Sequence, residues 1–270
     1  MRPSACALFL FFVFSLHAQS PSDIPIPGRA RNPSANAILG EIVAFRLLEA
    51  RSTLQPPRPP AVSVTVRQLL IPPKAVKEFE RWEKSLRSGD VRSAAGHLER
   101  AIQIYPNCVE ARNNLGASYI DLHDYEKAVV QFHQAIAINP NYQEPYANLS
   151  LALFLLQRLP EAEQAARHAL DLNPQANGAL YNLGRILVAE NENTLEAVEA
   201  LRQASAVYPD ARLPLALALS KRGSIEQAAA ELREYLKSPD PAKRHNIELW
   251  LALLTRSPKD TDFASENRKP

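Results

Sequence analysis

Cysteine is nearly absent: the 270 residues contain two, Cys6 and Cys108. Cys6 lies inside the only long apolar run, so a lipidated cysteine following that run is not expected. Were the N-terminus removed, Cys108 alone would remain, which excludes an intramolecular disulfide. Cys108 sits just past Pro106 in what reads as a loop, and the expectation is an unpaired, partly covered thiol, with an intermolecular bridge as its other use. Charge of one sign is also lacking. Lys and Arg number 31 against 29 Asp and Glu, evenly scattered for a net +2, so the clustered basic face that nucleic-acid binding requires is missing. Beyond residue 20 no apolar run approaches the roughly 20 residues that span a bilayer.

The motifs of the common catalytic sites are missing as well. There is no G-x-G-x-x-G, no P-loop and no H-E-x-x-H. Gly116-Ala117-Ser118 begins like a nucleophile elbow, but Ile120 stands where the second glycine belongs. The six histidines, His17, His97, His123, His133, His168 and His245, include no pair with the tight spacing of a metal-binding helix. His97, His133 and His168 fall beside positions that read as core, and are expected at exposed helix edges. The chain is read as non-catalytic, with no cofactor and no metal.

What is present begins with an export-like N-terminus. Arg2 precedes an apolar run from Ala5 to Leu16, and Ala18 follows. This reads as a secretory signal peptide over residues 1–18 and implies a periplasmic or secreted protein. Residues 19–73 form a Pro-, Ser-, Ala- and Arg-rich lead, read as partly disordered. Within it, Ile38, Ile42, Phe45 and Glu49 are spaced like one helix face, although the same stretch also suits a strand. Val62, Val64 and Val66 alternate with polar residues like a half-buried strand. Pro72-Pro73 marks the entry to a first helix.

From there the chain is periodic. Pro106, Pro140 and Pro174 are 34 residues apart, and Pro209 follows after 35, the extra residue falling near Asn191–Thr194. Each proline ends a helix, because it lacks an N–H and disfavours helix in the residue before it. Between Pro106 and Pro140 stand Leu115-Gly116, Tyr119, Ala128 and Phe132. The next interval repeats them as Leu149-Ser150, Leu153, Ala162 and Ala169, and the one after as Leu183-Gly184, Leu187, Ala197, Leu201 and Ala204. Upstream, Ala94, Leu98 and Ala101 close an earlier unit, in which Trp82 occupies the small-residue position. Downstream, Leu215-Ala216, Leu219, Gly223, Ala228, Leu232 and Tyr235 make a shortened fifth.

The stretch Val109–Pro140 resembles a tetratricopeptide repeat, whose pattern is W-x2-L-G-x2-Y…A-x3-F…P. Six of its seven marked positions agree, and only the Trp is replaced, by Arg112. The resemblance implies an all-α fold, a right-handed solenoid of about five helix-turn-helix repeats over residues 74–256. Units of this kind bury their apolar faces only by stacking. The small residues Gly116, Ser150, Gly184 and Ala216 then mark where paired helices cross closely. Ile247, Trp250, Leu251 and Leu254, at i, i+3, i+4 and i+7 after Pro241, read as a C-terminal capping helix over Ala242–Arg256. Residues 257–270 read as a disordered tail.

In this family the first helices line a concave channel that binds extended peptides, and similar asparagine ladders hold ligands in some members. Here Asn114, Asn148 and Asn182 precede the packing leucines at 34-residue intervals. An amide both donates and accepts, so such a ladder would suit a passing peptide backbone of any sequence. Asn113, Ala117, Ile120 and Asp121, then Ala147, Leu151 and Phe154, then Tyr181, Arg185 and Val188 would set preference, with Arg185 as one cation at the groove edge. The lysine that a two-carboxylate clamp requires near the Asn is missing, so an acidic peptide terminus is not the favoured ligand. Asn148-Leu149-Ser150 is formally a glycosylation sequon, discounted for lying inside a helix. The resulting expectation is an exported scaffold or adaptor for a protein or peptide partner, with no nucleic-acid role, no membrane span after signal cleavage and no set oligomeric state. The alternative is a structural subunit of a cell-envelope assembly that uses its helical edges and N-terminal lead.

Overall fold

A computed structural model describes residues 71–190, 195–237 and 240–255. By backbone contact the chain divides after Leu39, and every described residue belongs to the second unit, Gly40–Pro270. The segment read as a signal peptide, the lead as far as residue 70 with the segments read as helix or strand, the extra residue near Asn191–Thr194 and the segment read as a C-terminal tail lie outside the described residues.

The described residues form eleven α-helices, α1 (Pro73–Arg87), α2 (Val91–Ile104), α3 (Val109–Asp121), α4 (Tyr125–Ile138), α5 (Gln143–Leu155), α6 (Leu159–Leu172), α7 (Asn177–Ala189), α8 (Leu195–Ser205), α9 (Arg212–Lys221), α10 (Ile225–Tyr235) and α11 (Pro241–Thr255), with a short 3-10 turn at Pro209–Ala211. They pair as α1–α2 through α9–α10, five antiparallel helix pairs stacked in chain order into an α-solenoid. Pro73 opens α1 at its first turn, and α2, α4 and α6 end two residues before Pro106, Pro140 and Pro174.

In four of the five pairs the described turn uses one left-handed residue: Gly89 (φ 78°), His123 (φ 61°), Gln157 (φ 60°) and Gly223 (φ 76°). The first three are again 34 residues apart. The next amide reaches back to close these four first helices, as Asp124 N does to Tyr119 O at 2.8 Å and Arg158 N to Leu153 O at 2.9 Å. These are Schellman closures, in which αL geometry lets an N–H satisfy an otherwise orphaned carbonyl.

The small-residue positions do what the repeat requires. A Cβ on Gly184 would stand 2.4 Å from Leu201 Cγ, too close for any substituent without displacing that fully buried leucine. Ser150 is completely buried, its hydroxyl donating to Ala147 O at 2.7 Å. Phe132, Leu98, Leu187, Leu201, Leu215 and Leu232 fill the space between helices. At the entry unit, Trp82 stays half-buried and meets Phe79 edge-on, ring centroids 6.5 Å apart.

Two sequence expectations change here. Cys108 precedes the first turn of α3 and is 2 % exposed, because it packs with Ala95, Leu98 and Leu115. Burial pushes its thiol up to about 11. An intermolecular bridge at this residue would need the site to open. His97 is not an exposed edge residue either. Its Nδ1 lies 2.8 Å from Glu78 Oε2, across the α1–α2 interface.

The last pair is closed by α11. Ile247 and Trp250 are fully covered, with Leu251 and Leu254 packed partly against the same core. Lys243 of α11 reaches back to Asp210 Oδ2 at 3.0 Å, and the Tyr235 hydroxyl donates to Asp210 Oδ1 at 2.7 Å. The cap read from the sequence is therefore held by a polar clasp as well as by its apolar stripe.

Candidate binding groove

Besides pairing with its own partner, each first helix from α3 onward touches the first helix of the next unit: α3 with α5, α5 with α7, α7 with α9. The face these helices share is an open groove. Its walls are Ala117, Ile120 and Asp121 from α3, Ala147, Asn148 and Leu151 from α5, Gly178, Tyr181 and Asn182 from α7, and Tyr208 ahead of α9. Its empty volume is about 580 Å³, counting the solvent at its mouth.

The asparagines occupy three different situations. Asn148 lines the groove and donates its Nδ2 to Asn113 Oδ1 of the preceding unit at 2.9 Å. Asn182 also lines it, but is 7 % exposed and spends its Nδ2 on Ala147 O at 2.8 Å and Ser150 Oγ at 2.9 Å. Asn114 is half-buried and is not among the groove's lining residues. The period-34 amides thus stitch neighbouring units together as well as facing the channel. In both stitches the acceptor lies 35 residues back. Asn148 is the more open of the two amides in the channel, and one of its two N–H donors is already engaged.

Arg185 differs from expectation. It is 6 % exposed rather than standing at the groove edge, with its guanidinium carbon 4.4 Å from the Phe154 ring centroid and 5.3 Å from that of Tyr181. The planar cation stacks on aromatic faces, an arrangement Arg favours over Lys. It braces Tyr181, whose other neighbour is Tyr208, stacked at 5.8 Å and 18° between ring planes. Desolvation raises the Tyr208 hydroxyl above its ordinary value.

Asp121 ends α3. Its side chain reaches solvent, yet the surrounding protein removes enough water to raise its carboxyl, with His123 pulling weakly the other way. Leu151 supplies an apolar wall between the asparagine and tyrosine sides. Sequence periodicity pointed to most of these residues and missed two, Gly178 and Tyr208. Tyr208 comes from the loop before Pro209, outside the first helices, where a rule about first-helix positions has no reach. Gly178 lies one turn before Asn182, and a Cβ there would make only an ordinary contact with the Tyr208 oxygen, at 3.7 Å.

Among the described residues no three His, Cys, Asp or Glu side chains are grouped to hold a metal ion. Nor is any described helix long and apolar enough to cross a membrane.

A stack of helix pairs with a channel along its first helices defines a helical-repeat protein. Tetratricopeptide-repeat profiles match residues 109–142, 148–195 and 188–243, and the chain belongs to the tetratricopeptide repeat family. A comparison with curated proteins gives no match. Among solved structures it is similar to TTC0263, a thermophilic TPR protein of Thermus thermophilus, at 22 % identity over 67 % of this chain and 98 % of that one, TM-score 0.54. It is similar also to MamA (41-end) from Desulfovibrio magneticus RS-1, at 19 % identity over 62 % of this chain and 96 % of that one, TM-score 0.53. At these identities the likeness is one of fold.

Proposed function

We propose that the chain is a non-catalytic protein-interaction module that holds an extended segment of a partner protein in the groove of α3, α5 and α7. The observation that carries this reading is the groove itself: an open channel with apolar walls at Ala117, Ile120, Ala147 and Leu151, and an amide on Asn148 held in place by one of its two N–H donors. A fixed acceptor on an apolar floor recognises a peptide backbone with little entropy lost on binding. The reading includes export, supported by the charged-then-apolar run before Ala18, and the N-terminal residue of the mature chain tests that part.

The groove is tested by capture of partners from envelope extracts with the mature chain and two variants. Asn148→Ala is expected to weaken capture by about 1 kcal/mol, roughly fivefold. Leu151→Glu, which places a charge on the apolar wall, is expected to abolish it. Circular dichroism confirms that both fold. Undiminished capture by both folded variants would remove the groove as the site.

A further inference from the structure

Asp121 is an anion in an unfavourable place. It is the last residue of α3, where the negative end of the helix dipole opposes a carboxylate. It is partly desolvated. It has no hydrogen-bonding or ion-pairing partner among the described residues. Several other carboxylates do have a cation: Glu78 is held by Arg81 and Arg100, Glu161 by Arg158, Glu196 by Arg167, Glu231 by Arg212 and Asp210 by Lys243. Asp121 is also the single charged residue among those that line the groove.

A covered charge of the opposite sign lies behind the opposite wall. Behind Tyr181 lies the Arg185 guanidinium, sandwiched against Phe154 and covered from solvent. A second cation is disfavoured at that end, whereas the half-buried Tyr208, stacked on the buried Tyr181, offers an apolar surface. The groove therefore differs along its length, with a carboxylate at the α3 end and the Tyr208 surface, with a covered cation behind Tyr181, at the α7 end.

We propose that the groove selects extended segments carrying a lysine or arginine side chain, which pairs with Asp121 while a nearby apolar side chain rests on Tyr208. This rests on the groove-binding reading above and names the chemistry of its ligand. The Asn148 amide lies between the two ends, placed for a backbone N–H of the same segment.

The test is selection of phage-displayed random nonapeptides on the full chain, followed by affinity measurement on synthetic copies of the enriched sequences. The expected result is enrichment of one basic residue a few positions from an apolar one. Asp121→Asn is expected to lower affinity for such peptides up to about fivefold, the upper end for an exposed ion pair. Asp121→Lys is expected to turn the selected residue into Asp or Glu. Asp121 is exposed, so these variants fold. Leu151→Glu, and separately Gly178→Trp, obstruct the channel and serve as groove controls. Enriched peptides that need an open channel but carry no basic residue, or that ignore Asp121→Asn, overturn the charge assignment and leave the groove reading standing. Failure to enrich any peptide, or enriched peptides that bind equally to both obstructed variants, overturns the groove reading and the assignment with it.

Discussion

Gly116 of α3 lies so near Phe132 of α4 that a Cβ added to it would stand 2.5 Å from the ring. Phe132 is fully buried and has no empty side to move into. Gly116→Ala gains about 1 kcal/mol of helix propensity but overpacks a filled interface, which costs about 1–3 kcal/mol. The net expectation is a loss of about 1 kcal/mol. Gly96, in the middle of α2, meets only the end of Arg100 at 3.8 Å. Gly96→Ala should therefore stabilise the chain by up to about 1 kcal/mol. Urea unfolding of the two variants side by side checks the contrast, and equal effects would show that close approach is not the reason for Gly116.

This pair also explains how much could be read from the sequence. Gly116, Phe132, Gly184 and Leu201 are visible because the stacking constraint is the same in every unit, and a repeated constraint leaves a period of 34. The cap was visible for a similar reason, since Ile247 and Trp250 follow helical spacing. Arg185 was named but misplaced, because its burial depends on Phe154, a residue of the preceding unit that the local pattern around Arg185 does not encode. His97 and Glu78 meet across 19 residues with no repeat to advertise the pairing. Tyr208 enters the groove from a connecting loop, where periodicity carries no information. What recurs is legible; what depends on one particular cross-helix meeting is not.

Gln157 holds a left-handed backbone, φ 60°, at the turn where Gly89 and Gly223 stand in other units. Its side chain adds only a long bond to Phe154 O at 3.4 Å. A non-glycine residue in this region costs about 1 kcal/mol, partly offset by the greater freedom of glycine in the unfolded chain. Gln157→Gly is expected to raise stability by about 0.5 kcal/mol. Thermal melting of the variant checks it, and a lower melting temperature would mean the side-chain bond matters more than the backbone.

Glu78 is the electrostatic centre of the first pair. Hydrogen bonds from His97 and Arg100 are the largest influences that bring its carboxyl down from 4.5 to about 2, against the effect of burial, with Arg81 adding to them. A carboxyl lowered in the folded state contributes stability that is complete above its unfolded value and is lost as pH falls through the folded value. The contribution of Glu78 should thus persist at neutral pH and disappear between about pH 4.5 and 2. Glu78→Gln should be less stable than the parent at pH 7, and the two should converge at about pH 2. A difference that stays constant across that range would assign the effect to packing.

Asp210 joins two elements at the end of the array, accepting from Tyr235 of α10 and pairing with Lys243 of α11. Lys243 is 7 % exposed, and its other carboxylate, on Asp240, lies at 4.0 Å. Removing a partner from a buried pair leaves a desolvated charge, which costs about 3 kcal/mol or more. Asp210→Ala is therefore expected to release α11 locally, with faster hydrogen exchange in Pro241–Thr255 while α3 to α6 keep their protection. Tyr235→Phe removes one hydrogen bond and should cost about 1 kcal/mol. The informative comparison is Asp210→Ala combined with Lys243→Met, which removes both charges and keeps the apolar stem of the lysine. If the unpaired cation is what loosens the cap, the double variant should recover much of the protection lost in the single one. If the double variant is as loose as the single one, the clasp acts through the Tyr235 bond and the turn at Pro209–Ala211 instead.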